Sequence, residues 1–322
     1  MNTPCGADLG GRSGWVRSTV EHPNSGSAHG LRAVAPITSR EIPSLEDRYM
    51  AIVSLVNQKG GVGKTSTTMH LGGALARRGL RVLVADNDPQ SSLTKGLLGV
   101  EAARALDLSA TIYALYAELP VPPEELVRAT GFAGLSLLAG SPHTGDFNVP
   151  RPHRVDPADQ ERLLDGLLDL ATGFDVVLVD CAPSLQLNTW AALIAADAAL
   201  IPTQPELYGG QGLAEVRDWC YLVEQVRGRM VPIAGIVVTM FNGRRAMHKL
   251  FVERLRAEYP DVLDAVIPEA TEFPEAIYER KPIHWFKPRS AAARAVDALA
   301  EEVLARLATL GLVAPAGAKE VA

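Results

Sequence analysis

The stretch Lys59-Gly-Gly-Val-Gly-Lys-Thr-Ser66 lies just after the short apolar run Ala51-Ile-Val-Ser-Leu-Val56 and opens a segment with helical periodicity. A glycine-rich turn between a strand and a helix is the setting that a phosphate-binding loop (P-loop) requires. Glycines allow successive backbone NH groups to converge on phosphate oxygens, and the start of the helix adds a favourable field. The residues predicted to bind the phosphates of a nucleotide are Lys59, Gly60, Gly61, Val62, Gly63, Lys64, Thr65 and Ser66.

Four residues in or beside this loop determine how it is interpreted. Lys64 is expected to reach the outer phosphates, and the Thr65 hydroxyl is expected to bind Mg²⁺. The loop departs from the general pattern G-x-x-x-x-G-K-[ST], because Gln58 replaces the first glycine and Lys59 adds a second lysine. A solvated side chain beside the loop is the alternative interpretation of Lys59.

Two acidic segments follow predicted strands further along the chain. Asp86-Asn-Asp-Pro-Gln90 comes after one strand, and Asp180 ends the buried-strand pattern Val176-Val-Leu-Val-Asp180. A carboxylate at the carboxyl end of a parallel strand faces the crevice where ligands bind. Asp180 is therefore predicted to anchor Mg²⁺ through water, which is the Walker B role. The alternatives are a simple turn residue for Asp180 and, for Asp88, an Asx turn that caps a helix at Ser91.

Strand-like and helix-like segments alternate over most of the chain. This alternation predicts an α/β fold with a doubly wound, mostly parallel sheet and helices on both faces. Besides residues 51–56, the predicted strands are residues 81–85, 135–138, 176–179, 199–202, 233–239 and 265–268, with clear helices at 161–171 and 290–310. Residues 141–159 are predicted to be an irregular connection. We expect a disordered extension at residues 1–49, one domain at 50–312 and a flexible tail at 313–322.

The loop with its extra lysine resembles the deviant Walker A motif of the ParA/MinD family, and the similarity extends from about Ala51 to Leu307. It implies that residues 50–312 form a ParA-type P-loop ATPase that uses ATP and Mg²⁺ and forms a homodimer on binding ATP. In this family the extra lysine, here Lys59, reaches across the dimer interface to the partner's nucleotide. The first acidic segment resembles the family's D-x-D-P-Q block, which implies that Asp88 orients or deprotonates the attacking water and that Asp86 supports Mg²⁺ or the loop.

Three later segments resemble ParA proteins in particular. They are Ile201-Pro-Thr-Gln-Pro-Glu206, Val238-Thr-Met-Phe-Asn242 followed by Gly-Arg-Arg245, and Val266-Ile-Pro-Glu269. The resemblance implies that Met240 and Pro268 contact the adenine ring. It also implies non-specific DNA binding through salt-sensitive contacts between basic residues and phosphates. The candidates are Arg244, Arg245, Lys249, Lys287 and Arg289, for which an ordinary solvated face is the alternative interpretation.

The charge of the chain limits the predicted DNA surface. Glu269 and Glu272 stand where Soj-type relatives carry arginines. The formal net charge of −6 excludes a protein that coats nucleic acid with its whole surface. Any DNA contact must therefore be local.

Cysteine content and apolar patterning exclude further classes of protein. Cys5, Cys181 and Cys220 are too few and too scattered for a disulfide framework, and the second cysteine of a bridging iron–sulfur site is missing. No uncharged apolar run reaches the roughly 20 residues that cross a bilayer. The end of the chain, residues 312–322, lacks the basic amphipathic helix by which MinD-type relatives lie on a membrane. We expect a cytoplasmic, nucleoid-associated protein with no membrane partner.

The family resemblance predicts an ATP-dependent DNA-partitioning switch. Its ATP-bound sandwich dimer is expected to bind DNA non-specifically, and hydrolysis, weak on its own and stimulated by a ParB-like centromere-binding protein, is expected to release the DNA. The two glutamates motivate an alternative, a ParA-like ATPase that positions a non-DNA cargo. A MinD-like spatial regulator of division is a third possibility.

Overall fold

The computed structural model describes residues 50–206 and 209–314. The expected disordered extension at residues 1–49 lies outside these ranges, and so do residues 315–322 of the expected tail. The strands of the described part are β1 (Ala51–Leu55), β2 (Val82–Asn87), β3 (Val127–Ala129), β4 (Leu135–Leu138), β5 (Val176–Cys181), β6 (Ala198–Thr203), β7 (Ile233–Phe241) and β8 (Val262–Pro268).

Helices connect most of these strands. They are α1 (Lys64–Arg77), α2 (Ser92–Leu98), α3 (Val100–Arg104), α4 (Tyr113–Tyr116), α5 (Pro123–Leu126), α6 (Pro157–Asp169), α7 (Leu187–Ala195), α8 (Gly209–Arg227), α9 (Ala246–Glu258), α10 (Glu272–Tyr278), α11 (Ile283–Phe286) and α12 (Ala291–Thr309). Short 3₁₀ helices cover Leu108–Ala110, Pro142–Phe147, Pro152–Arg154 and Ala171–Gly173.

All described strands form one sheet in the order β3-β4-β2-β5-β1-β6-β7-β8. Neighbouring strands run parallel except for β3 and β4, which are antiparallel. The central strands β1 and β5 are buried at every residue, as expected for strands that are covered on both faces. This sheet confirms the predicted doubly wound, mostly parallel α/β fold.

The core has one apolar layer on each face of the sheet. Consecutive side chains of a strand point to opposite faces, so Ile52 of β1 packs in the layer with α6, α7 and α8, whereas Val53 packs in the layer with α1 and α12. Both side chains are completely buried. The two layers fix β1, and the loop that follows it, at the centre of the domain.

The sequence prediction missed β3 and the start of α6. β3 is a three-residue edge strand with partly exposed side chains, so it lacks the apolar run by which a buried strand is recognised. α6 begins at Pro157, earlier than the predicted residue 161, because the Asp156 carboxylate caps it by accepting a hydrogen bond of 2.9 Å from the backbone NH of Ala158. The predicted irregular connection at residues 141–159 therefore contains 3₁₀ turns and the first residues of α6.

The parallel sheet brings three predicted segments to one edge. β1, β2 and β5 are adjacent parallel strands, so the P-loop, Asp86 and Asp180 all follow or occupy carboxyl ends of strands at that edge. Asp86 and Asp180 are direct partners in the β2–β5 register. This edge is where an open α/β sheet binds its ligands.

Candidate functional site

The P-loop turns sharply between β1 and α1. Gly61 and Gly63 have φ angles of 76° and 85°, in the left-handed region that glycine adopts without steric cost. Gly63 stands immediately before α1, and no side chain of the described residues caps the start of this helix. The first NH groups of α1 are therefore available to an anion, as in other phosphate-binding helix N-termini.

The side chain of Lys64 is buried beneath this turn and contacts its backbone. Only 7% of the residue is exposed, and its ammonium donates hydrogen bonds to the backbone oxygens of Asn57 at 3.0 Å and Lys59 at 3.2 Å. Burial lowers the pKa of Lys64, and the nearby Asp180 carboxylate opposes this effect. The result is a cation held under the loop, at the place where the phosphates of a nucleotide are predicted to lie.

Asp180 is a buried carboxylate with unused hydrogen-bonding capacity. It is completely buried, and neither of its oxygens accepts a hydrogen bond of normal geometry from the described residues. Burial raises the pKa of Asp180 well above its usual range and Asp86 adds to the rise, whereas the Thr65 hydroxyl and the Lys64 ammonium oppose it. A buried acid with spare acceptor capacity beside a threonine hydroxyl is a donor set that suits a hard divalent cation.

Asp86 is tied to the first turns of α2. Its Oδ2 accepts hydrogen bonds of 2.7 Å from both the backbone NH and the hydroxyl of Thr94, and that hydroxyl accepts a bond of 2.8 Å from the NH of Gly140. Its Oδ1 has no partner among the described residues. Burial raises the pKa of Asp86 to about 6. Asp86 thus holds α2 and the end of β4 together and leaves one oxygen to the site.

Asp88 adopts the turn that was the alternative interpretation of this residue. Its Oδ1 accepts a hydrogen bond of 2.8 Å from the NH of Gln90, and its backbone oxygen accepts one of 2.8 Å from the NH of Ser91, which precedes α2. The charge of Asp88 nevertheless raises the pKa of both Asp86 and Asp180. Asp88 therefore lies within electrostatic reach of the buried carboxylates while its side chain shapes the loop.

Lys59 differs from Lys64 in both burial and partner. Its backbone NH donates to the Asn57 side-chain oxygen at 2.9 Å, which fixes the start of the P-loop. Its side chain is 37% exposed, and its ammonium forms an ion pair with the Glu206 carboxylate, whose side chain is 54% exposed. The two lysines of one loop thus point into different environments, one inside the subunit and one at its surface.

Residues after β6 and near the end of β7 hold the P-loop, although the sequence analysis gave no role to Gln204 or Thr239. The Thr239 hydroxyl lies 2.8 Å from the Val62 backbone oxygen and 3.1 Å from the Thr203 backbone oxygen, and it shares its one hydrogen between these two acceptors. The Gln204 amide nitrogen donates to the Gly61 backbone oxygen at 3.0 Å and also lies 2.7 Å from the sulfur of Met240. Gln204 and Thr239 are more than a hundred positions away from the P-loop residues that they contact, so the local sequence does not mark these contacts.

The two residues predicted to contact adenine lie on neighbouring strands. Met240 belongs to β7, is 39% exposed and has a positive φ angle of 52°, which is uncommon for a residue other than glycine. Pro268 ends β8, where it pairs with Phe241. Gln204 therefore contacts both Met240 and the P-loop, whereas Pro268 lies one strand closer to the edge of the sheet.

The predicted DNA-binding residues fall into two groups. Arg244, Arg245 and Lys249 occupy the β7–α9 turn and the start of α9, whereas Lys287 and Arg289 lie between α11 and α12. No hydrogen bond or ion pair of the described residues joins the two groups. Both groups are partly neutralised, because Arg245 lies 3.5 Å from the Glu269 carboxylate and Lys287 pairs with Glu275.

Within residues 50–206 and 209–314, no helix is long and apolar enough to cross a membrane.

Comparison with known proteins identifies the family of the chain. A family model described as an AAA domain matches residues 50–230. The chromosome-partitioning ATPase Soj of Thermus thermophilus is 38% identical over 259 residues, which cover 79% of this chain and 96% of that protein. An uncharacterized protein of Mycobacterium tuberculosis is 34% identical over 296 residues and is covered to 89%, as is this chain.

A solved structure extends this comparison to the fold. The septum site-determining protein MinD of Pyrococcus horikoshii, complexed with Mg-ADP, matches with a TM-score of 0.62 at 27% identity, covering 81% of this chain and 98% of that one. Sequence and structure agree, and the chain belongs to the ParA/Soj-type partitioning proteins of the ParA/MinD family of P-loop ATPases.

Proposed function

We propose that the protein is an ATP-dependent DNA-partitioning switch. Its ATP-bound sandwich dimer binds DNA without sequence preference. ATP hydrolysis, weak in the protein alone and stimulated by a ParB-like centromere-binding partner, releases the DNA. The protein then acts in the cytoplasm, on the nucleoid. Membership of the ParA/Soj family supports this proposal.

The observation that carries the proposal is the different placement of the two loop lysines. Lys64 lies inside the subunit, where a cation stabilises the phosphates of the subunit's own nucleotide. Lys59 lies at the surface in an ion pair with Glu206, and pairs of exposed side chains contribute little stability. A second subunit can therefore draw Lys59 away from Glu206 to its own nucleotide, which is the arrangement that a sandwich dimer requires.

The site suits ATP with Mg²⁺. The P-loop residues and Asp86 would hold the nucleotide, with Met240 and Pro268 beside the adenine ring. Thr65 and, through water, Asp180 would hold Mg²⁺, which fits the unpartnered oxygens of this buried acid. Bound Mg²⁺ neutralises charge on the phosphates during their transfer.

The proposed catalytic residues for hydrolysis are Asp88, at the attacking water, and Lys59 and Lys64, at the phosphates. The Asp88 side chain lies within electrostatic reach of Asp86 and Asp180, and a carboxylate there can orient a water molecule or accept its proton. Oδ1 of Asp88 accepts the hydrogen bond from Gln90 in the turn, and its Oδ2 is left to a water molecule.

For DNA, we propose contacts between phosphates and the β7–α9 turn, supplemented by the basic residues between α11 and α12. Arginine and lysine contacts of this kind give salt-sensitive binding without base recognition. The residues are Arg244, Arg245, Lys249, Lys287 and Arg289.

The oligomeric state in different nucleotides tests the switch directly. Light scattering coupled to size-exclusion chromatography is expected to show a dimer with ATP and a monomer with ADP or without nucleotide. Lys59→Ala is expected to stay monomeric with ATP although it binds the nucleotide. Lys281→Ala, which removes another exposed lysine, is the matched control and is expected to dimerise normally. The same oligomeric state in all three conditions would contradict the proposal.

A ParA-like ATPase that positions a non-DNA cargo is a second candidate. The Arg245–Glu269 ion pair favours it, because the acid removes positive charge from the turn that would face DNA. In this case the ATP-bound dimer forms but does not bind generic duplex DNA at physiological salt.

A further inference from the structure

The turn between β7 and α9 is organised by the side chain of Asn242. Its Oδ1 accepts a hydrogen bond of 3.0 Å from the NH of Arg244, which shapes the turn that carries both arginines. Its Nδ2 donates a hydrogen bond of 3.0 Å to Oε2 of Glu269. One asparagine therefore fixes the basic turn and an acidic side chain from the neighbouring strand at the same time.

Glu269 is held beside this turn by its backbone as well as by its side chain. Its NH donates to the backbone oxygen of Phe241 at 2.9 Å, across the ends of β7 and β8. The same Oε2 that accepts from Asn242 lies 3.5 Å from the guanidinium of Arg245. The carboxylate is thus presented to Arg245 in a defined position.

The Arg245–Glu269 pair is placed where it can open. The side chains are 58% and 49% exposed, and water weakens an ion pair between exposed groups. A phosphate offers the same guanidinium a charge-assisted, often bidentate contact. Phosphate oxygens and the Glu269 carboxylate are both anionic hydrogen-bond acceptors, and they therefore compete for Arg245.

We propose that Glu269 is a built-in competitor for DNA: it occupies Arg245 and so weakens the binding of duplex phosphates by the β7–α9 turn. This inference rests on the proposed DNA-partitioning function and specifies the residue that sets its DNA affinity. Asn242 acts as a positioning residue, because it holds the carboxylate in place.

Glu272 provides the matched control. It begins α10, three positions after Glu269, and no hydrogen bond or ion pair joins its side chain to a described basic residue. Glu269→Gln and Glu272→Gln remove the same charge from the same region. Only the first removes a competitor of Arg245.

The test measures the affinity of the ATP-bound full-length protein for a generic DNA duplex by fluorescence anisotropy. Glu269→Gln is expected to bind about three- to fivefold tighter than wild type, which corresponds to the loss of one exposed ion pair. Its affinity is expected to depend more steeply on salt, by roughly one additional phosphate contact. Glu272→Gln is expected to stay within about twofold of wild type. Equal gains in both variants, or none in Glu269→Gln, would overturn the proposal.

A double-mutant cycle assigns the effect to Arg245. In the Arg245→Gln background, Glu269→Gln is expected to give no further gain, because the contested guanidinium is absent. An undiminished gain in that background would show a general charge effect and overturn the competitor role. If the proposed DNA-partitioning function itself is wrong, wild type and all variants will dimerise with ATP but none will bind DNA. That result would also overturn the competitor role of Glu269.

Discussion

Among single residues, Lys64 gives the clearest test of the predicted P-loop. Its ammonium is buried under the P-loop between two backbone oxygens and near Asp180, so it is positioned before any nucleotide arrives. Lys64→Ala is expected to weaken ATP binding at least tenfold, since a hydrogen bond to a charged group contributes roughly 1.5–3 kcal/mol. Titration with a fluorescent ATP analogue measures the loss.

Lys59→Ala is the control for this prediction. The same loop loses a lysine, but the removed ammonium pairs with Glu206 at the surface, so nucleotide affinity is expected to remain within about threefold of wild type. Normal ATP affinity in Lys64→Ala would remove the P-loop assignment.

Substitution of Asp88 tests ATP hydrolysis separately from ATP binding. Asp88→Ala removes the proposed general base and the Asx turn to Gln90 but leaves Lys64 and Asp180 in place. The expected result is ATP turnover that falls roughly 10²- to 10⁴-fold, together with an ATP-bound dimer that persists. Turnover assays and size-exclusion chromatography with ATP measure the two effects. A monomeric profile with ATP would contradict the catalytic role.

At the level of strands and helices, β7 supports the P-loop through Thr239. The hydroxyl of this buried threonine donates to the Val62 oxygen, and valine has the same shape without the donor. Thr239→Val leaves a buried carbonyl without its partner, at a cost of about 1–3 kcal/mol. We expect weaker ATP binding, by about tenfold, and a lower melting temperature.

Thr309→Val is the matched control for Thr239→Val. The Thr309 hydroxyl donates to Ala305 within the exposed end of α12, far from the loop in the chain. ATP affinity is expected to be unchanged in this variant. If both variants bind ATP like wild type, β7 does not support the P-loop.

The packing of α1 against α11 makes the fold sensitive to acid. His70 of α1 is fully buried, accepts a hydrogen bond of 3.0 Å from the NH of Ile283, and lies close to His284. Burial, with a smaller effect of His284, lowers the pKa of His70 to about 3, below its ordinary value of 6.5. The unfolded chain therefore binds more protons than the folded one between these values, so stability is lost as the pH falls below 6.5.

Urea unfolding at about pH 7.5 and about pH 5.5 tests this sensitivity. His70 alone is expected to contribute a loss of about 1.4 kcal/mol in the free energy of unfolding between these conditions. In His70→Asn, which keeps an acceptor for Ile283, the loss is expected to be smaller by about that amount. His143→Asn, at an exposed site, should behave like wild type. Equal pH dependence in all three proteins would show that His70 does not titrate on unfolding.

The strands that the sequence predicted well are those whose burial is visible locally. β1, β5 and β6 are buried along their whole length and are mostly apolar, because both of their faces are covered. β3 was missed because an exposed edge strand of three residues carries no such run. A helix start also differed from its prediction where a capping residue determines it, as Asp156 does for α6.

The site could be predicted where a motif and a strand end coincide. The P-loop, Asp86 and Asp180 meet at one edge because parallel strands place their carboxyl ends together. The contacts of Gln204 and Thr239 with the loop, and of Glu269 with Arg245, depend on which strand ends become neighbours. That information is in the sheet order and register, which no local pattern contains.

For the whole molecule, we expect the bound nucleotide to control DNA binding. The net charge of −6 opposes DNA binding by a free subunit, so affinity must come from a local basic surface that is doubled in the ATP-bound dimer. Arg244→Glu is expected to weaken DNA binding without affecting dimerisation. Arg104→Glu, at an exposed position of α3, is its control.

The most direct measurement is fluorescence anisotropy of two unrelated DNA duplexes with the wild-type protein in ATP, in ADP and without nucleotide, over a salt series from about 50 to 200 mM. We expect the protein to bind DNA only with ATP, to bind both duplexes with equal affinity, and to bind them more weakly as the salt concentration rises. Binding that is the same in all nucleotide states, or an ATP-bound dimer that does not bind DNA even at low salt, would contradict this expectation.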